Sequence, residues 1–322
     1  MTTLSQVDAP VVAETTRDDR VESVHHGIAV VVDQGGKELT RIGDPTALVF
    51  PRSTLKPVQT FSILETGTPL EPLQIALATA SHVGSFRHQE AVEDFLHDHQ
   101  LSVSLLQCPA DWPMGEKAKR DMIAAGHTEP LQLAMNCSGK HAGFLACCQH
   151  MGWDLENYLD PRHPLQLMMK HRIEDLAGEK VAHTTPDGCG APLHQLSLRG
   201  LAKALATVTN GRTGESVALL DAIRDNSWAI AGDGEANTIV IDTLGGIAKI
   251  GAEGLVVISL PGGPTAVVKI LDGSMRATTP LALTLLHRLG AIETAPFERL
   301  LETTSAKVYG GLKVTGRLRV VV

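Results

Sequence analysis

The side chains in this sequence best suited to acyl transfer are a serine and a lysine three residues apart, in Arg52-Ser53-Thr54-Leu55-Lys56. At the start of a helix, residues three apart share a face, so the Lys56 amine can reach the Ser53 hydroxyl and take its proton. The helix N-terminus also favours negative charge developing on that oxygen. A pattern this short arises about once by chance in a chain of this length, so it needs support from its surroundings. Ser81, in Thr79-Ala80-Ser81-His82, and Lys249, in Lys249-Ile250-Gly251, offer a second serine and a second lysine. Two such pairs can form a relay, because each lysine lowers the other's proton affinity and burial adds to the effect, leaving one amine neutral near pH 7.

Two further segments carry polar chemistry. Met135-Asn136-Cys137-Ser138-Gly139-Lys140-His141 leads into a helix, and Thr185-Pro186-Asp187-Gly188-Cys189-Gly190 is a tight polar turn. The first is not a phosphate-binding loop: Ala134 stands where that motif needs glycine, and His141 follows the lysine in place of Ser or Thr. Together they supply Cys137, Lys140, His141, Asp187 and Cys189, a set that fits either a soft-ligand metal site or a polar substrate pocket. His97-Asp98-His99 ends an amphipathic helix and reads as a solvated face. Cys108, Cys147 and Cys148 read as packing.

The elements that position these residues follow from periodicity. Gly27–Val32 is a buried-strand run, with a turn at Gln34-Gly35-Gly36 and a second strand near Leu39–Ile42. Residues from about 71 to 244 are mostly amphipathic helix. Strands return over 246–251, 255–260 and 266–271, and helices close the pattern over 280–289 and 297–303. The arrangement predicts an α/β (α+β) fold in which an antiparallel sheet drawn from both chain ends is flanked by helices and carries a helical lobe. Residues 1–20 read as a tail and 21–322 as one two-lobed domain, with the sheet lobe at about 21–70 and 245–322 and the helical lobe at about 71–244. In acyl-transferases of the penicillin-recognising type, S-x-x-K opens the helix after a hairpin and a K-[ST]-G strand faces it. Here Lys249 has the strand position, while S-D-N and K-T-G are not present as such.

Composition removes other classes. The chain has 322 residues, 28 Lys plus Arg against 36 Asp plus Glu, and a formal net charge of -8, so a phosphate-gripping basic face and hence a nucleic-acid partner are not expected. Leu255–Leu271 is broken by Pro261-Gly262-Gly263-Pro264 and reads as strands and a turn, so no membrane partner is expected either. The N-terminal sequence lacks a basic stretch followed by an apolar core, and the five cysteines are an odd number, which together point to a reducing, cytoplasmic setting.

The segments P-R-S-T-L-K-P, A-S-H, N-C-S-G-K-H, D-G-C-G-A-P and A-K-I-G-A-E-G, in this order from about Val21 to about Gly316, resemble the bacterial asparaginase II family of serine-lysine L-asparaginases. The resemblance implies a fold similar to serine β-lactamases and glutaminases, and hydrolysis of L-asparagine to L-aspartate and ammonia through an acyl-enzyme. It implies Ser53 as nucleophile with Lys56 as its base, Ser81 and Lys249 as the second pair, and a zinc ion at Cys137, Lys140 and Cys189. A zwitterionic substrate needs a cation, for which Arg52, Lys140 and His141 are candidates, and an anion, for which Asp187 and Glu253 are candidates. No organic cofactor is implied, and a homodimer is left open. The loop Gly232–Thr238 departs from the family pattern, which has a basic residue near Glu235 and in some members a cysteine near Asn237. Alternatives are a glutaminase or β-lactamase-like hydrolase, or an amino-acid-binding protein without catalysis.

Overall fold

The computed structural model describes residues 3, 4 and 8–322. Its main sheet begins with β1 (Val11–Arg17), β2 (Arg20–Val32) and β3 (Glu38–Ile42), and a short strand β4 (Leu48–Val49) follows. Three consecutive strands, β7 (Ile247–Gly251), β8 (Leu255–Ser259) and β9 (Thr265–Ile270), form a meander, and β10 (Lys307–Gly310) and β11 (Lys313–Val320) form a last hairpin. The strand order is β10-β11-β1-β2-β9-β8-β7, with β3 added beside β2 and every pairing antiparallel. Sequence-distant strands therefore meet at the centre, where Val30 faces Val267.

β8 and β9 are buried throughout, which requires cover on both faces of the sheet. α7 (Leu198–Val208) packs on β2 and β9 and belongs to the helical lobe, whereas α11 (Thr278–Arg288), backed by α12 (Thr294–Thr304), covers β8 and β9 from the other side. The helical lobe comprises α1 (Lys56–Leu64), α2 (Pro72–Thr79), α3 (Phe86–Asp98), α4 (Glu116–Ala124), α5 (Ser138–Met151), α6 (Pro164–Ala177), α8 (Gly214–Asp225), α9 (Ser227–Ile230) and α10 (Ala236–Leu244). It also contains β5 (His183–Pro186) and β6 (Pro192–Ser197), which join β4 in a small second sheet, so the middle of the chain is not all helical.

The N-terminal segment corrects the sequence reading. Within residues 1–20, β1 lies between β2 and β11, with Val12 and Ala13 fully buried; residues 1, 2 and 5–7 of the expected tail lie outside the described residues. The reason is distance along the chain: Thr16 Oγ1 donates to Arg317 O at 3.2 Å across 301 residues, and no local window contains that partner.

Two glycines set the approach of elements around the site. A side chain at Gly251, the end of β7, would meet Pro51 O at 2.8 Å and Thr54 Cγ2 at 3.0 Å, so the bare strand end lets the segment before α1 lie against it. At Gly139, in the first turn of α5, a Cβ would lie 2.4 Å from Leu77 O, so glycine seats that helix on α2.

Candidate active site

Ser53 lies in a 3₁₀ turn, Arg52–Leu55, and α1 starts only at Lys56. In a 3₁₀ turn residues i and i+3 eclipse, so Ser53 and Lys56 still fall on one side. Thr54 Oγ1 donates to Pro51 O at 2.6 Å and pins the turn. Arg52 has φ +51°, a left-handed conformation that costs a side-chain-bearing residue about 1 kcal/mol. The strain sits immediately before the proposed nucleophile.

The amine of Lys56 is buried, and it reaches past Ser53 to donate to Ser81 Oγ at 2.9 Å and to Ala80 O. Among the described residues Ser53 Oγ has no hydrogen-bond partner, and Ser53 is half-buried on a cavity wall shared with Lys56. Lys249, wholly buried on β7, donates from Nζ to Ile250 O at 3.1 Å. Burial, and then the neighbouring charge of Lys56, hold the Lys249 amine well below the usual lysine range. Burial lowers Lys56 as well, opposed by the Cys137 thiol beside it. Neither amine is bonded to a carboxylate among the described residues, so nothing stabilises two ammonium groups here and a neutral amine is favoured. The structure thus couples Lys56 directly to Ser81, where the motif alone paired it with Ser53.

Ser81 is held by its backbone. Ser81 N donates to Ile230 O at 3.1 Å, His82 N to Asn136 O at 3.2 Å and Val83 N to Ala231 O at 2.7 Å, so this extended stretch is pinned on both sides by loops.

The rest of the cavity wall sets Arg52, Gln59, Lys140 and Asp187 beside the apolar Leu55, Pro192 and Leu193. Arg52 Nε and Asp187 Oδ1 pair at 2.7 Å, and Lys140 Nζ donates to Cys189 Sγ at 2.9 Å. Cys137 Sγ donates to Asn136 Oδ1 at 2.9 Å, and the neighbouring Cys137, helped by Lys140, lowers the proton affinity of Cys189, while Cys189 and burial raise that of Cys137. Burial lowers the Lys140 amine, but the neighbouring Cys189, with Asp187 beyond it, outweighs burial and raises its proton affinity. Gln59, also on this wall, was not singled out from sequence, although it lies three residues beyond Lys56 on the same face of α1.

Two candidates take other positions. His141 is fully buried outside the cavity wall, with Nδ1 at 2.8 Å from Tyr158 Oη. Burial, followed by Lys140, keeps it neutral, so it supplies no cation for a carboxylate. Glu253 is exposed in the β7–β8 turn at φ +64°, where its carbonyl accepts from Lys269 Nζ, and it does not line the cavity.

The cavity beside Ser53 holds about 10 Å³, the room of a single water. A larger one of about 710 Å³ lies at the opposite edge of the sheet, among α11, α12 and the β10–β11 hairpin, and contains none of the serines or lysines described above. Chemistry rather than volume locates the site: among the described residues Ser53, the buried Lys56 and Lys140 and the Arg52–Asp187 ion pair line the smaller one, with Ser81 behind it on Lys56.

The fold is thus a mixed α/β unit with an antiparallel sheet, and it brings a Ser-Lys cluster together beside a charged pair. The sequence profile of L-asparaginase II matches residues 13–320, nearly the whole chain, and the protein belongs to that family, whose name is that of an amidohydrolase. No curated protein matches the chain. Among solved structures it is similar to Mglu in its glutamate form, at 13% identity and TM-score 0.45 over 82% of this chain and 61% of that one. Mglu in its native form aligns at 14% identity and TM-score 0.43 over 84% and 66%, and the tris and glutamate form at 14% and 0.37 over 89% and 64%. The chain therefore spans less than two thirds of the length of these proteins. No helix among the described residues is long and apolar enough to cross a membrane.

Proposed function

We propose that the protein hydrolyses L-asparagine to L-aspartate and ammonia through an acyl-enzyme on Ser53. The observation that carries this reading is that Ser53, the Lys56 amine and the Arg52–Asp187 ion pair line one cavity. An amino-acid substrate brings one carboxylate and one ammonium. Arg52 and Asp187 are the matching charges, and the substrate inserts by exchanging their mutual bond for bonds to itself. Ser53 is the hydroxyl a substrate can reach, whereas Ser81 is buried behind it on Lys56.

In the first half-reaction Ser53 Oγ bonds to the side-chain carbonyl carbon as its proton passes to the neutral Lys56 amine. The C–N bond then breaks, and the Lys56 and Ser81 hydrogen-bonded pair returns the proton to the departing nitrogen, which leaves as ammonia. In the second, water adds to the ester, gives its proton to the same pair and releases aspartate and the Ser53 hydroxyl. Lys249, its proton affinity lowered by burial and by the neighbouring Lys56, is the second amine of the relay and shares the proton that Lys56 takes from Ser53.

Cys137, Lys140 and Cys189 would hold a zinc ion: they offer two soft sulfur donors and an amine, and Lys140 Nζ already contacts Cys189 Sγ. Bound zinc would supply fixed positive charge beside the cavity, and because Lys140 must lose its proton to ligate, its uptake weakens as pH falls. Elemental analysis of chelator-free protein should give about one zinc per chain, and about none in Cys189→Ser. Equal metal in both removes the assignment.

The deciding measurement is ammonia release from asparagine and from glutamine by wild type and Ser53→Ala, beside turnover of a chromogenic β-lactam. Asparagine activity that disappears in Ser53→Ala supports the reading. Calorimetric binding of asparagine without ammonia release leaves an amino-acid-binding protein instead.

A further inference from the structure

His82 follows Ser81 directly and takes no part in the steps above, yet it is fully buried. Its Nε2 lies 2.9 Å from Ser138 Oγ, and the same Ser138 hydroxyl donates to Leu133 O at 3.0 Å. A hydroxyl has one proton to give. Since Ser138 spends it on Leu133, the bond to His82 must run the other way, with Nε2–H donating and Ser138 Oγ accepting. The imidazole is therefore the Nε2–H tautomer, and Nδ1, which has no partner, carries the lone pair. The ring is also stacked on His88, with centroids 4.8 Å apart and planes 15° from parallel, and His88 in turn bonds Ser85 Oγ through Nδ1 at 2.7 Å.

These contacts bind two motifs that the catalytic steps use separately. The backbone of His82 donates to Asn136 O, and its ring donates to Ser138, so both ends of the residue are tied to the segment that leads into α5. That segment carries Lys140, which lines the cavity, and α5 is seated on α2 through Gly139. Lys56 in turn bonds the carbonyl of Ala80 and the hydroxyl of Ser81, the two groups just before His82. A rotation of the 80–82 backbone would move both acceptors of the Lys56 amine at once.

We infer that His82 is a positioning residue: its donation to Ser138 fixes the 80–82 backbone and so holds Ser81 Oγ on the Lys56 amine. This rests on the reading that the Lys56 and Ser81 pair moves the proton during amide hydrolysis. A residue that only fills space would be replaced adequately by any side chain of similar volume. A residue that acts through its Nε2 donor would be replaced by one that puts an N–H at the same place.

Glutamine can place its amide nitrogen where Nε2 lies; asparagine, one methylene shorter, places it nearer Nδ1. The test is steady-state asparagine hydrolysis by His82→Gln, His82→Asn, Ser138→Ala and Ser81→Ala, each checked for native circular dichroism. His82→Gln should keep kcat within about threefold. His82→Asn and Ser138→Ala should lower kcat by about 10- to 100-fold with KM within about twofold, the pattern of a misplaced reacting group. Ser138→Ala changes one exchangeable hydroxyl and is the arm least exposed to misfolding. Equal kcat in the glutamine and asparagine variants, or wild-type kcat in Ser138→Ala, overturns the positioning role while an inactive Ser81→Ala leaves the mechanism standing. Wild-type turnover in Ser81→Ala overturns both.

Discussion

The two edges of the main sheet are built from similar strands and are used in opposite ways. At one edge β7 is buried except for a half-buried Ile250, its end pressed on the 3₁₀ turn of Ser53, with Lys249 sealed inside. At the other, the β10–β11 hairpin exposes Tyr309, Leu312 and Val314, and residues 303–322 carry Lys307, Lys313, Arg317 and Arg319 with no acidic residue. A lysine at the first edge has lost its water, and burial lowers its proton affinity, whereas Lys307 and Lys313 at the second are exposed to solvent. The same residue type is stripped of water in one place and a solubilising group in the other.

That contrast can be broken most sharply at Lys249. Lys249→Met keeps the volume of the side chain and removes the amine, and turnover of asparagine should fall by about a thousandfold or more, the scale seen when one member of a catalytic unit is lost. Steady-state ammonia release reads it, and a drop below tenfold would make the buried amine structural.

Gly251→Ala comes next. Its methyl would press on Pro51 O and Thr54, so the Ser53 turn must shift, and we expect about 1–3 kcal/mol of destabilisation with a fall in kcat. Urea denaturation and kinetics on the same preparation separate the two effects. Unchanged values for both would show that the strand end does not set the turn.

The buried side of the molecule also predicts its acid sensitivity. Burial lowers His88 from 6.5 to about 4 and holds His82 and His141 well below 6.5. As pH falls below 6.5 the unfolded chain binds these protons first, so the stability tied to neutral imidazoles is complete above 6.5 and is lost progressively toward pH 4. Thermal midpoints should therefore drop between pH 6.5 and 4, less steeply in His88→Gln than in wild type. The opposite slope would mean that the imidazoles gain protons on folding.

The smallest effect belongs to the exposed edge. Leu312→Ser or Tyr309→Ser should leave turnover unchanged and stability within about 0.5 kcal/mol, as surface substitutions do. Loss of activity there would show that the hairpin contributes to the working enzyme, for example by pairing two copies.

How much of this was legible in the sequence depended on range. Helices such as α3, α4, α6 and α8 are local and amphipathic, and their limits follow from periodicity. β1, β10 and β11 pair with segments roughly the whole chain away or sit on a solvated edge, and their residues show no clean alternation to report them. At the site, the residue types and their motifs were readable, including the Ser and Lys pairs, the two cysteines and the Arg52 and Asp187 charges. Their partners were not: that Lys56 bonds Ser81, that Arg52 is spent on Asp187 and that Glu253 turns away are facts of side-chain direction. His82 escaped because a histidine beside a serine looks the same whether it faces water or is sealed against Ser138.

The place of β1 has a consequence for how the protein comes into being. Its partner β11 is made some 300 residues later, since Thr16 and Arg317 are 301 apart in the chain. While the polypeptide grows on the ribosome, β1 and the first half of β2 must wait beside an unmade neighbour, and the Val30–Val267 register at the sheet centre waits as well. Lys249 cannot be sealed over until that register forms, so a nascent chain carries the side chains proposed for catalysis before it has their buried environment.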